Sequence, residues 1–113
     1  MASGGEGESF LFVTLDPQGR RVALSRRTFD LHIATRHPGM TAPRIEAVLA
    51  RPDVILENLD HGSLNYLSRI GRGQFRLVAV KRHPNRVPQW EVATAYPRSI
   101  PPHGDVRVVW MRS

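Results

Sequence analysis

The sequence predicts an α+β domain in which an N-terminal hairpin and two helices lie on one face of a four-stranded antiparallel meander sheet. Three observations predict it. Helical spacing of apolar residues is confined to residues 26–50, an extended pattern takes over after Asp53, and the later apolar runs are joined by short segments rich in turn residues. Short links favour antiparallel neighbours, because a parallel return needs a crossover of about a dozen residues or more. The two early helices are not expected to be crossovers of a parallel sheet.

Residues 1–9 are small and polar and read as a flexible leader, leaving 10–113 as a single domain. Phe10 to Leu15 is apolar with β-branched members, Asp16-Pro-Gln-Gly19 carries Pro and Gly where a β-turn favours them, and Arg21 to Leu24 resumes the extended pattern. Ser25 can cap a helix reaching about Arg36, with Phe29, Ile33 and Leu31 on its apolar side. His37 precedes Pro38, whose ring disfavours the α conformation before it, and Gly39 follows, so the helix should stop there. Thr41 can cap a second helix from about Ala42 to Ala50, in which Ile45, Val48 and Leu49 recur at i, i+3 and i+4; Arg51-Pro52 ends it. Strands are then expected at Val54 to Glu57, Ser63 to Ile70, Phe75 to Arg82 and Gln89 to Tyr96, with a last one from Val106 to Met111.

A chain of 113 residues can bury one core, built here from Val, Leu, Ile and Ala because aromatic residues are few. No run approaches the roughly 20 apolar residues that span a bilayer, and the first nine residues lack the apolar middle of a signal peptide. The expectation is a protein of the cytoplasm, or one delivered to a target cytoplasm, without a membrane partner. The absence of cysteine excludes disulfides and thiolate metal sites. Sixteen Lys and Arg against ten Asp and Glu give a formal charge of +6, and Lys81 is the only lysine. Arginine presents a planar fork of donors suited to phosphate oxygens, which makes nucleic acid a candidate partner; a chain that merely uses arginine on solvated surfaces would carry the same charge.

Residues that can carry chemistry gather in Leu31-His-Ile-Ala-Thr-Arg-His-Pro38 and Ala93-Thr-Ala-Tyr-Pro97. Histidine takes or gives a proton near neutral pH, and two in different environments can divide the base and acid roles. On an ideal helix His32 and Arg36 share a face, while His32 and His37 are about 140° apart and do not chelate one metal as an i, i+4 pair would. With no HExxH, carboxylate cluster or cysteine, neither a metal nor another cofactor is expected. Thr94 and Tyr96 should share a strand face with Val92, leaving Ala93 and Ala95 on the other. Two hydroxyls there can hold a phosphate and a histidine ring, and Lys81 or Arg82, at the end of the neighbouring strand, can stabilise developing negative charge. Plainer readings stand beside these. His37 can simply complement a helix dipole, His32 can be half-buried on a backbone partner, Thr94 and Tyr96 are ordinary strand formers, and Lys81 and Arg82 can be a solvated strand end. His61, His83 and His103 sit in turns and read as surface residues.

The succession of hairpin, His-Ile-x-x-Arg-His-Pro helix, second helix ending in x-x-Pro-Asp-x-Ile, a strand with Tyr, a Val-Ala-Val-Lys strand and a Thr-Ala-Tyr strand resembles the phage-associated Barnase-EndoU-colicin-RelE-like nucleases over about Phe10 to Tyr96. That resemblance implies two helices before a four-stranded antiparallel sheet, and metal-independent RNA cleavage. It places motif positions at His32, Arg36, His37, Lys81, Thr94 and Tyr96, and the chain departs from the pattern at Gly39, where an acidic residue often follows His-Pro. The implied reaction is attack of an RNA 2′-hydroxyl on the adjacent phosphate, giving a 2′,3′-cyclic phosphate and a free 5′-hydroxyl. One of His32 and His37 would be the base and the other the acid, Arg36 and Lys81 would stabilise charge, and Thr94 and Tyr96 would position the phosphate. Such a protein would be a toxin or phage effector with RNA as substrate and an antitoxin or immunity protein as partner. A noncatalytic RNA- or ribosome-binding module would keep the arginines without needing the histidines. A protein-interaction domain would turn the same basic surface toward an acidic partner.

Overall fold

Seven strands form one mixed sheet in the computed structural model, which describes residues 9–99 and 104–113; the expected leader, apart from Ser9, and His103 lie outside the described residues. The strands are β1 (Phe10–Leu15), β2 (Arg21–Ser25), β3 (Val54–Asn58), β4 (Ser63–Gly71), β5 (Gln74–Arg82), β6 (Trp90–Arg98) and β7 (Val106–Met111), in the spatial order β1-β2-β6-β5-β4-β3-β7. The expected four-stranded antiparallel sheet carrying a hairpin and two packed helices is therefore incorrect. Although β3 to β6 run as an antiparallel meander, β7 extends it beyond β3 and β2 joins β6 in parallel, with Val22 opposite Trp90 and Ala23 opposite Glu91. Everything between β2 and β6 serves as the crossover, far more chain than a parallel return requires. The reason is visible in Val22-Ala23-Leu24: all three are buried, as in an interior strand covered on both faces, and not alternately buried as in a free hairpin.

The first helix is shorter than its apolar spacing suggests. Ser25 does cap it, accepting a hydrogen bond from Thr28 N at 3.0 Å, but α1 (Arg26–Thr28) passes at once into a π turn (Phe29–Ile33) in which Ala34 N donates to Phe29 O at 2.8 Å. Thr28, Phe29, Ile33 and Thr35 are weak helix formers, so packing decides the path. Ile33 is fully buried and Phe29 packs on the core, whereas Leu31 is 55% exposed. By contrast α2 (Ala42–Ala50) forms as its pattern predicts, with Thr41 Oγ1 accepting from Arg44 N, proline in its first turn, and Ile45, Val48 and Leu49 buried.

Those helical residues join Val22, Leu24, Ile55, Tyr66, Val78, Val80, Val92 and Ala95 in the main core on one face of the sheet, where truncating a buried Leu or Ile to Ala costs about 2–5 kcal/mol. The opposite face holds a smaller cluster of Leu56, Leu67 and Leu77, with Tyr96 packed against it. Residues of both edge strands, Leu11 and Phe12 of β1 and Val109 and Trp110 of β7, pack on the main core, and Gln18 Nε2 donates to Val109 O at 3.3 Å. The twisted sheet thus coils around the helices.

The turn that makes this closure, Asp16 to Gly19, is held by the fully buried Asp16 side chain. Its Oδ1 accepts from the backbone N of Gln18 and Arg20, and its Oδ2 from Arg20 Nη1 at 2.9 Å and the Tyr66 hydroxyl at 2.6 Å. Gly19, at φ +86°, supplies the left-handed conformation that lets the strand return. Burial, and then the Asp16 carboxylate, push the Tyr66 hydroxyl well above its ordinary titration range. No helix among the described residues is long and apolar enough to cross a membrane.

Candidate functional site

A β-bulge on β6 sets the orientation of the Thr94-Ala-Tyr segment. Thr94 stands opposite Ala79, yet Val92 stands opposite Val80, so Ala93 is an extra residue in the ladder. Val92 therefore points into the main core with Val80, while Thr94 and Tyr96 point to the other face. The expectation that Val92 shares their face fails because period-two counting does not survive an inserted residue.

β2 pairs with β6 only at Trp90 and Glu91; beyond them the π turn packs against β6. Ile33 O accepts from both Arg36 N and His37 N, which ends the helical segment and turns the chain out beside the second half of β6. There the half-buried His37 ring lies 5.8 Å from the Tyr96 ring, tilted by 36°. The two sequence motifs meet at this contact.

His37 also lines a pocket of about 370 Å³ together with Arg36, Pro38, Gly39, Met40, Arg44, Ile70, Arg76 and Pro97. Three guanidiniums border it, and among the described residues no acidic one does. Elsewhere four arginines are ion-paired, Arg20 to Asp16, Arg86 to Glu91, Arg107 to Glu57 and Arg112 to Asp53, while the side chains of Arg21, Arg26, Arg27, Arg51, Arg69 and Arg72 stand apart on the surface without a hydrogen-bond or ion-pair partner among the described residues. Arg44 donates to Gly39 O at 2.8 Å, whereas the guanidiniums of Arg36 and the half-buried Arg76 have no hydrogen-bond or ion-pair partner among the described residues. Like charges converging without a countercharge repel, and an anion presenting several oxygens relieves that repulsion while accepting from the forks. Arg44 and Arg76 were not expected from the sequence. The signal for Arg76 is its position two residues before Val78 on β5, an arginine on the core-facing side of a strand.

The remaining candidates are dispersed. Thr94 is half-buried beside Tyr96 on the same face. Lys81 is exposed opposite Glu91 and Arg82 opposite Trp90, so the strand register carries both past the Thr94-Tyr96 positions they were expected to flank. Lys81 is four residues along β5 from Leu77, the partner of Tyr96, or about 13 Å at strand rise. Arg82 Nε donates to Gln89 Oε1 at 3.2 Å. His32 is exposed within the π turn, and its side chain has no hydrogen bond, ion pair or ring contact among the described residues; that turn also removes the ideal-helix geometry used to relate it to His37. His61 is exposed, but His83 is not merely a surface turn residue, since its Nε2 lies 3.7 Å from the buried Glu91, which Arg86 also holds at 2.8 Å.

Among the described residues no three His, Asp or Glu side chains are grouped as a metal site would need. What the arrangement offers is a histidine able to transfer a proton, a tyrosine ring against it whose hydroxyl accepts from Arg98, and fixed positive charge on the other side. Comparison with family models, with curated proteins and with solved structures found no match.

Proposed function

We propose that this chain binds RNA through its phosphates and cleaves it without a metal at the His37-Tyr96 pair, acting as a toxin or phage effector. The carrying observation is the contact of His37 with Tyr96 at a pocket that three arginines border and no carboxylate of the described residues neutralises. In this reading a phosphodiester seated against Arg36, Arg44 and Arg76 has its phosphorus beside His37. His37 accepts the 2′-hydroxyl proton as the 2′ oxygen bonds to phosphorus. The bond to the 5′ oxygen breaks and Tyr96 gives that oxygen its proton, leaving a 2′,3′-cyclic phosphate and a 5′-hydroxyl. The arginines stabilise the charge that accumulates on the phosphoryl oxygens, and Thr94 on the opposite sheet face, with His32, Lys81 and Arg82, meets the flanking nucleotides. An acidic antitoxin or immunity protein laid over the same arginines would silence the site.

RNA incubated with the protein in EDTA tests this. Cleavage should proceed with a bell-shaped pH dependence and leave cyclic phosphate ends, and His37→Ala should slow it by about 10²- to 10⁴-fold, the scale of a lost general acid or base. A parent that binds RNA with steep salt dependence yet cuts none makes the chain a noncatalytic RNA-binding module. A parent that does not bind RNA at all removes the reading.

A further inference from the structure

On the sheet face away from the helices, Asn58, Ser63, Asn65, Tyr96 and Arg98 line a groove of about 210 Å³, with the buried Leu77 at its base. The strand pairings assemble it: Asn58 faces Ser63 and Leu56 faces Asn65 across β3 and β4, while Leu77 faces Tyr96 across β5 and β6. Several water volumes of roughly 30 Å³ each would fit, enough room for a small planar ring.

The lining is polar, but its charge is low. Arg98 is the single cation among the described lining residues, and its Nη1 donates to the Tyr96 hydroxyl at 3.3 Å. Asn58 Oδ1 accepts from Asp60 N and His61 N, which fixes that amide and leaves its NH₂ without a partner among the described residues. The half-buried Asn65 amide and the Ser63 hydroxyl make no hydrogen bond among the described residues. An idle amide presents a donor and an acceptor side by side, the complement of a base edge. A phosphate would seek several cations, which lie in the other pocket. A neutral ring with a hydrogen-bonding edge matches an amide, a hydroxyl and an aromatic wall, and unpaired RNA bases are recognised by stacking on aromatic rings and by their exposed edges.

We propose that this groove is a nucleobase subsite, with Asn65 reading the edge of one unpaired base and Tyr96 packing against it. The inference rests on the RNA reading above. Tyr96 belongs to both places, touching His37 and lining the groove, so a base held here belongs to a nucleotide next to the phosphate at His37.

The test is the affinity of four homopolymeric pentanucleotides, each 2′-O-methylated to prevent attack by the 2′ oxygen, measured by fluorescence anisotropy at fixed salt. One base should bind about tenfold or more tightly than the weakest, within the range expected for one good edge contact. Asn65→Leu should bring the four to within about twofold of one another while leaving the salt dependence of the weakest unchanged, because phosphate contacts carry that term. Asn65→Asp, which keeps the size and replaces the donor by an acceptor, should change the order of preference. RNA binding without base preference, or a preference untouched by both variants, overturns the subsite and leaves the RNA reading standing. Failure of the parent to bind any of the four removes the RNA reading and the subsite with it.

Discussion

Tyr66 and Tyr96 lie on opposite faces of one sheet, two strands apart, in contrasting surroundings. Around Tyr66 the polar groups are matched inside the chain: its hydroxyl donates to Asp16, whose carboxylate also takes the Arg20 guanidinium and two backbone N–H groups, and Arg20 in turn lies 5.3 Å from the Trp90 ring. Around Tyr96 they are not. His37 touches its ring, the Arg36 and Arg76 guanidiniums have no partner among the described residues, and the Asn65 amide across the groove has none. A saturated buried network fixes backbone geometry, here the closure of the β1-β2 turn, and offers nothing to a ligand. Unmatched cations and amides on an open surface lend the fold little, and they retain their capacity to bind.

The largest expected effect falls on the open side. His37→Ala should reduce RNA cleavage by about 10²- to 10⁴-fold, whereas Tyr66→Phe should leave the rate per folded molecule unchanged. If Tyr66→Phe slowed cleavage as much at full folding, the division between a structural and a functional tyrosine would be wrong.

The same division marks what was legible in the sequence. Caps and local periods were: Ser25 and Thr41 accept the hydrogen bonds expected of them, and the spacing of Ile45, Val48 and Leu49 gives the buried side of α2. The hairpin and the strand segments could also be read, but not the sheet they build. The β2-β6 pairing joins residues almost seventy apart, and no local pattern encodes a partner; the unbroken Val22-Ala23-Leu24 run was the available hint that β2 is interior. The meeting of His37 with Tyr96 depends on the π turn and on the Ala93 bulge, each a one-residue departure from an ideal period. Arg44 and Arg76 escaped notice because a basic composition makes individual arginines look like solvated surface.

On the closed side, Tyr66→Phe should destabilise the fold by about 1–3 kcal/mol, the cost of leaving a buried acceptor short of a donor. Tyr96→Phe should cost less than about 1 kcal/mol, since it removes one hydroxyl from a half-buried position. The pH dependence gives a second reading. The Tyr66 hydroxyl is raised in the folded state above its unfolded value of about 10, so its contribution is complete below that pH and is lost as pH rises beyond it. Urea midpoints of the parent should fall above about pH 10, and less steeply in Tyr66→Phe. Parallel falls in both proteins would assign the alkaline loss to other groups.

Smaller again is the effect of a single cation on affinity. Arg76→Ala should weaken RNA binding by roughly tenfold and lower the salt dependence by about one phosphate contact, with thermal stability retained. Arg107→Ala, whose guanidinium is paired with Glu57 on the far edge of the sheet, should leave both unchanged. Equal losses from the two variants would mean that net charge and not the pocket binds RNA.

The smallest effect concerns the position where the chain departs from the nuclease pattern. Gly39 does not have a left-handed backbone, and a Cβ built there would find only Arg44 Nη1, at 4.0 Å, so Gly39→Asp introduces a carboxylate without strain. That carboxylate competes for the guanidinium that now donates to Gly39 O and borders the pocket. An exposed ion pair is worth about 0.2–1 kcal/mol, so RNA affinity should drop by roughly two- to fivefold while the melting temperature holds or rises slightly. If Gly39→Asp instead accelerates cleavage at unchanged affinity, the acidic side chain acts by orienting His37. Glycine would then be a deficiency of this site, and not the means by which Arg44 is kept available to phosphate.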